Sequence, residues 1–373
     1  MASLGVGIIG CGNISETYLR LAPLFNFIEL RGVADLNGEL AAKRAAEYGT
    51  TAYSVDELLA RPDIDIVVNL TIPEAHFGVT RAILEAGKHA YSEKPIVLTL
   101  EEGETLRALA AEKGLKVGSA PDTFLGGTHQ QARAMIDAGE LGTIVSGTAH
   151  VMSHGMEHWH PNPDFFFKPG GGPILDIGPY YVTNLIQLLG PIRRVGALTS
   201  AGFESRTISS QPRAGETVRV ETPTNIHALL EFEEGATITL SASWDVWAHR
   251  HANMELYGTE GSLFVPDPNF FGGPLEASGA SPEITQVKPW DHPFGVANDK
   301  GERANYRTAG LADMARSIAE GGAHRCSLDL ALHAVDAMTS ILRSGEEGGF
   351  VTLSTTCARP APLSPGEAAA LLR

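Results

Sequence analysis

Short apolar runs alternate with helical patterns over the first third of the chain, and beyond residue 122 strands follow one another through short turns. Together these predict an α/β protein: a doubly wound parallel sheet over 1–122, then a second α/β domain over 123–373 with a large, mostly antiparallel sheet. The length of 373 residues suits two domains. With 43% hydrophobic and 19% charged residues and no apolar run of membrane-spanning length, the composition disfavours disorder, a coiled coil or a membrane span.

In chain order, the strands expected first are Val6 to Gly10, Ile28 to Asp35, Ile64 to Thr71, His89 to Glu93 and Lys116 to Ala120. Ile64 to Leu70 is nearly continuous in branched apolar residues, which suits a strand covered on both faces. Between them Ile14 to Leu24, Glu39 to Tyr48, Glu74 to Ala86 and Glu101 to Lys113 carry helical spacing, and Thr99 with Glu102 reads as a capping box. The rhythm ends near Pro121 and Asp122, where a boundary is expected, and Gly126 to Ala138 reads as a helix. Ile144 to Met152, Ile192 to Leu198, Asn225 to Phe232, Ala236 to Val246, Ala252 to Tyr257 and Ser262 to Val265 then read as strands of an antiparallel sheet. In the fourth of these, Ile238, Leu240, Ala242 and Trp244 alternate with Thr237, Thr239, Ser241 and Ser243, so a small-hydroxyl face is expected to meet solvent or a second subunit. Residues 266–295, with six Pro and four Gly, read as a long irregular connection, followed by helices over Tyr306 to Glu320 and Leu328 to Arg343.

The net charge of −16 would repel a phosphate backbone or an anionic membrane surface, so neither nucleic acid nor membrane is an expected partner. Cys11, Cys326 and Cys357 are too few and too scattered for a disulfide framework or a zinc cage. The N-terminus runs directly into a short strand without a basic, apolar leader, so a cytoplasmic location is expected.

The chemistry concentrates in four places. Gly7-Ile8-Ile9-Gly10-Cys11-Gly12-Asn13-Ile14-Ser15 follows a strand and opens a helix, where a dinucleotide pyrophosphate can rest on unpaired amides. Gly10 permits the tight turn, Gly12 lets phosphates approach the backbone, and Ser15 at the third position is small enough to keep the helix close. Asp35, 23 residues after Gly12, would accept hydrogen bonds from a ribose or else cap the next helix. Its charge favours NAD over NADP, with Lys43 and Arg44 too far along to compensate. Asn13, Ile14, Thr71, His76, Glu93 and Lys94 complete the expected cofactor set. Glu93-Lys94-Pro95 closes a parallel strand, and a lysine there points into the crevice where such sheets bind ligands.

In the second domain Gly170-Gly171-Gly172 precede a helix in which Asp176 and Tyr180 are four apart, hence on one face, able to converge on one ligand hydroxyl; a dipole-favoured carboxylate and a core aromatic is the alternative. His154, His158, Trp159 and His160 lie just before. No carboxylate or cysteine completes a metal set, so no metal is expected; an indole between imidazoles suits the C–H face and hydroxyls of a sugar, or else a packed loop. Phe165, Phe166 and Phe167 read as packing.

The Gly-x-Gly turn, Lys-His-Ala-Tyr-Ser-Glu-Lys-Pro at 88–95 and Gly-Gly-Gly-x-x-x-Asp-x-Gly-x-Tyr at 170–180 resemble the glucose-fructose oxidoreductase, inositol dehydrogenase and rhizopine-catabolism (Gfo/Idh/MocA) family. The resemblance spans nearly the whole chain and implies a Rossmann domain followed by an α/β domain that many members use to form dimers or tetramers. It implies that Lys94 assists hydride transfer to or from a sugar or polyol carbon. Many members end the helix motif in a histidine; here Tyr180 stands there, so the acid/base role falls to Tyr180, with Asp176 orienting a substrate hydroxyl. A free phenol, with a pKa of about 10, is a weak base unless a cation such as Lys94 stabilises its phenolate; Lys94 as base with Tyr180 as donor is the other division of labour. The implied activity is an NAD(P)-dependent sugar or polyol dehydrogenase. A redox-neutral glycoside-cleaving enzyme with tightly held NAD and a non-catalytic nucleotide sensor are the rivals.

Overall fold

The structure is a computed structural model that describes residues 3–298 and 303–373. Its compact units are discontinuous in sequence: Met1–Gly127 with Asp291–Val335 and Pro360–Arg373, and Thr128–Trp290 with Asp336–Arg359. Residues 291–335 and 360–373 thus cluster with the N-terminal segment. Contacts explain why: Asp122 accepts from the amides of Thr308 and Gly310, both at 3.0 Å, and Gly118 bridges to Ser327.

The first unit holds a six-stranded parallel sheet made of β1 (Leu4–Ile9), β2 (Ile28–Ala34), β3 (Ala52–Tyr53), β4 (Ile66–Asn69), β5 (His89–Ser92) and β6 (Val117–Ser119), in the order β3-β2-β1-β4-β5-β6. Strand order reverses beside β1, the place where open α/β sheets bind ligands at their carboxyl ends. The helices between are α1 (Asn13–Leu21), α2 (Gly38–Tyr48), α3 (Val55–Ala60), α4 (Pro73–Glu85) and α5 (Leu100–Lys113). Thr99 and Glu102 form the expected capping box on α5, and Ser54 with Glu57 forms another on α3. β3 and α3 are additions to the sequence reading; a two-residue strand is too short to show a period. Val6, Ile8, Val33, Ile66, Val67 and Val68, each at most 1% exposed, fill the sheet interior.

In the second unit, after α6 (Gly127–Asp137), come β7 (Ile144–Met152), α7 (Pro173–Asp176), α8 (Gly178–Leu189), β8 (Ile192–Ser200), β9 (Ser205–Thr207), β10 (Thr217–Arg219), β11 (Asn225–Phe232), β12 (Thr237–Ser243), β13 (Met254–Gly258), β14 (Ser262–Val265), β15 (Glu276–Ser278) and β16 (Thr285–Gln286). α9 (Ala309–Glu320) and α11 (Pro365–Leu371) belong to the first unit; α10 (Leu328–Glu347) contains a unit boundary, and β17 (Phe350–Thr352) follows it. Among the described residues the sheet has nine strands, β16-β15-β14-β13-β7-β12-β11-β8-β17, and β9 and β10 pair separately as a hairpin.

Three expectations need correction. β12 runs parallel to β7, because the chain crosses over through α7, α8, β8 and β11 before returning beside it. The connection over 266–295 contributes β15 and β16, which extend the sheet edge despite its prolines. The hydroxyl face is covered in part by its own chain: Ser241 and Ser243 are 4% and 1% exposed, Ser241 Oγ lying 3.0 Å from His227 Nδ1 and Ser243 Oγ accepting from the Asp245 amide. The apolar face carries Ile238, Leu240, Ala242 and Trp244 at 0% exposure, and every residue of α8 is buried, its Asn184 reaching Met254 of β13. On the opposite face Leu198, Leu229 and Phe350 are exposed around a depression of about 340 Å³ that His227 and Thr239 also line.

Candidate active site

Within the first unit, Gly10 has φ of +103°, and a Cβ there would come within 2.6 Å of the Leu70 carbonyl group, so β1 can turn this close to β4 only with glycine. Gly12 is the N-cap of α1 without a side-chain cap, and a Cβ built on it meets nothing within 4 Å. The amides of Asn13 and Ile14 therefore open the helix beside unfilled space, which fits the pyrophosphate of a dinucleotide. Ser15 is fully buried, its hydroxyl donating to Gly12 O at 2.6 Å, in keeping with a small residue at that position.

Asp35 is half-buried just beyond β2; one carboxylate oxygen accepts from the Cys11 amide (2.7 Å) and the other from the Asn37 amide (2.8 Å). It braces the turn, and the N-cap of α2 is Asn37. Burial, reinforced by Asp35, pushes the Cys11 thiol up to about 11, so Cys11 stays protonated and unreactive. Arg44 pairs with Glu47 (2.8 Å) and Glu16 (3.8 Å).

Thr71 follows the end of β4 and donates its hydroxyl to Asn69. His76 is not brought to an open surface: it is 1% exposed, and its ring nitrogens lie 3.0 Å from Thr71 O and 2.6 Å from Pro95 O. It ties the end of β4 to the segment after Lys94. Glu93 is also turned inward. Its carboxylate accepts from Tyr18 OH (3.0 Å) and from the Lys94 amide (3.1 Å), which fixes the peptide that carries half-buried Lys94 just past the carboxyl end of β5. Burial first, then the Glu93 charge, holds the Tyr18 phenol well above its ordinary pKa, so it remains a donor. Nothing in the sequence flags Tyr18; it reads as one more helix residue 75 positions away.

Within the second unit, the helix expected to carry Asp176 and Tyr180 is broken. α7 ends at Asp176, Ile177 caps both pieces, and α8 begins at Gly178, so the four-residue spacing passes through a joint. Asp176 is half-buried and Tyr180 is 9% exposed; the next residue, Tyr181, is the deeper one and receives a hydrogen bond from Asn253. His158 and Trp159 are exposed, Trp159 to 56%, while His160 is half-buried with its ring against Trp159, Phe165 and Phe166. His154 stacks on Trp247 with ring centroids 3.3 Å apart. Phe166 and Phe167 pack as expected, at 7% and 0% exposure, whereas Phe165 is 45% exposed. No motif marks Arg206, which pairs with Glu157 of this loop in a buried contact and with half-buried Asp245.

These features define an NAD-binding oxidoreductase built on a Rossmann unit. The chain belongs to the Gfo/Idh/MocA family: the model of the oxidoreductase family with an NAD-binding Rossmann fold matches residues 4–120, and the GFO/IDH/MocA C-terminal domain model matches 129–264. It is 30% identical over 267 residues to dTDP-3,4-didehydro-2,6-dideoxy-alpha-D-glucose 3-reductase of Saccharopolyspora spinosa, covering 70% of this chain and 74% of that protein. It is 27% identical to 1,5-anhydro-D-fructose reductase of Ensifer adhaerens, over 69% and 74% of the two chains. Among solved structures, levoglucosan dehydrogenase in complex with NADH and L-sorbose shares the fold at a TM-score of 0.80 and 24% identity, over 95% of this chain and 99% of that one.

Proposed function

We propose that the protein transfers a hydride between NAD and a secondary alcohol of a sugar, cyclitol or related polyhydroxy compound. The observation that carries this reading is the pairing of an open, glycine-formed turn after β1 with a braced lysine after β5, both at carboxyl ends of one parallel sheet. The relatives support the substrate class, since their names are those of a sugar-nucleotide reductase, an anhydrofructose reductase and a levoglucosan dehydrogenase. Residues 1–122 then serve the dinucleotide, and 123–373 the substrate and subunit association.

Gly10, Gly12, Asn13 and Ile14 would hold the pyrophosphate and Asp35 the ribose, with Thr71 beside them and His76 and Glu93 bracing from behind. Bound there, NAD supplies the hydride acceptor. Tyr180, as the phenolate, takes the hydroxyl proton and becomes the phenol, Asp176 orients the hydroxyl, and the charge of the Lys94 ammonium assists the hydride transfer. His158, Trp159 and His160 contact the sugar, the indole stacking on its C–H face.

A panel of sugars and polyols assayed for NAD reduction tests the reading; at least one compound should give sustained formation of free NADH. Glycoside cleavage without NADH release would identify the redox-neutral chemistry instead, and no turnover with any compound would sink both. The exposed Leu198, Leu229 and Phe350 support a homodimer or homotetramer formed through the open sheet face. Light scattering should show more than one subunit; a monomer at micromolar concentration refutes that association.

A further inference from the structure

Residues 203–221 contribute to no motif, yet they contain Arg206, only 4% exposed. Its guanidinium donates to Glu157 (2.8 Å), to Asp245 (2.5 Å) and to the carbonyls of Trp244 (2.8 Å) and His154 (3.5 Å), and Phe203 lies 4.5 Å from it. Asp245 reaches further, accepting from the Gly202 amide and from Thr224 Oγ1. The geometry gathers strand ends: Met152 of β7 pairs with Ser243 of β12, and Asn225 of β11 pairs with both Ser243 and Ser200 of β8. One cation therefore binds the segments that leave this end of the sheet.

A buried ion cluster is a poor source of net stability, because desolvation offsets most of its attraction; its clearer effect is geometric. What it fixes is the loop after β7. The amides of Ser209 and Ser210 donate to Glu157 O, Ser210 Oγ donates to His160 O (2.5 Å), and Arg213 binds Asp164 and Asn162. Beneath, Met156, Phe166, Phe167, Ile208, Val218 and Trp244 form a small apolar cluster of their own. The tip of the loop so held presents His158, Trp159 and His160.

We propose that Arg206 is a positioning residue for substrate recognition: through Glu157 and the His154 carbonyl it fixes the loop that carries His158, Trp159 and His160, and so sets which sugars are accepted. This rests on the function proposed above. Three variants test it: Arg206→Met, Arg206→Lys, and Ser210→Ala, which leaves the ion cluster intact. Arg206→Met should raise KM for the best sugar at least about tenfold and flatten discrimination across the panel, with NAD affinity changed by no more than about twofold. Arg206→Lys should recover part of the loss, and Ser210→Ala should raise KM about threefold with little change in Tm. Amide exchange over 153–168 should quicken in Arg206→Met while β1, β4 and β5 are unaffected. Wild-type KM and selectivity in Arg206→Met, with losses confined to Tm or active fraction, would overturn the proposal, as would unchanged exchange in the loop. If the wild type turns over no sugar, the substrate reading fails and the positioning role falls with it, while exchange still reports whether Arg206 holds the loop.

Discussion

In the first unit the candidate residues stand within a few positions of strand ends: Gly10 just after β1, Asp35 just after β2, Thr71 after β4 and Lys94 after β5. In the second, His158, Trp159 and His160 lie in a loop whose conformation depends on partners such as Arg206 and Ser210, about fifty residues away in sequence. A parallel sheet delivers side chains to its carboxyl edge by topology alone, and short-range turns finish the work. A long loop needs contacts made from elsewhere, so its chemistry is tied to the folding of distant segments. Substitutions in the two units should therefore fail in different ways.

The largest effect is expected from Lys94→Met in the first unit, which keeps the aliphatic stem and removes the charge: kcat should fall at least about a hundredfold with NAD affinity little altered. Near-wild-type turnover would remove Lys94 from the mechanism. Tyr180→Phe in the second unit should cost kcat on the order of a hundredfold while Tm barely moves, because only the phenolic oxygen is lost. A slight change in both would return Tyr180 to the core. Asp35→Ser should weaken NAD binding and shift preference toward NADP by about 1–3 kcal/mol, with KM for the sugar unchanged. A wild type that already prefers NADP would break the comparison at its base.

A subtler contrast lies in pH. Burial raises Asp122 of the first unit from 3.8 to about 6, although the Gly310 and Thr308 amides favour its ionised form. Its contribution to stability is present below pH 3.8 and is lost as pH rises through about 6, since only the unfolded chain ionises readily there. Burial lowers His129 of the second unit from 6.5 to about 4, its ring nitrogen 2.8 Å from Phe270 O. That contribution is present above pH 6.5 and is lost as pH falls through about 4. The two slopes oppose each other. Asp122→Asn should make stability rise more steeply with pH between about 4 and 6, and His129→Gln should make it fall, as chemical denaturation at stepped pH would report. Parallel curves for both variants and the wild type would refute the assignment.

The legibility of the sequence follows the same division. The turn at 10–15, the strand closing at Lys94 and the Thr99 capping box are local patterns, and each is found where its spacing puts it. What lay outside reach was set by contacts distant in sequence. Tyr18 meets Glu93 only once β5 and α1 are assembled, and the inward turn of His76 depends on the carbonyls of Thr71 and Pro95. The break at Ile177 hides in a run, Pro-Ile-Leu-Asp-Ile-Gly-Pro, whose second proline starts a new helix at the position where a first turn needs no amide. The parallel pairing of β7 with β12 cannot be inferred from either strand, since alternation looks the same in both orientations.

Segments 153–168 and 203–221 share one apolar cluster, anchored to the end of the sheet through Trp244 just past β12, and so act as a pair. Exchanging one for a homologous stretch strands the other's charges: Glu157 without Arg206, or Asp164 without Arg213. Exchanging both together keeps these two pairs matched, but Arg206 also binds Asp245 and the Trp244 carbonyl just past β12, so a replacement has to keep an arginine there or change Asp245 with it.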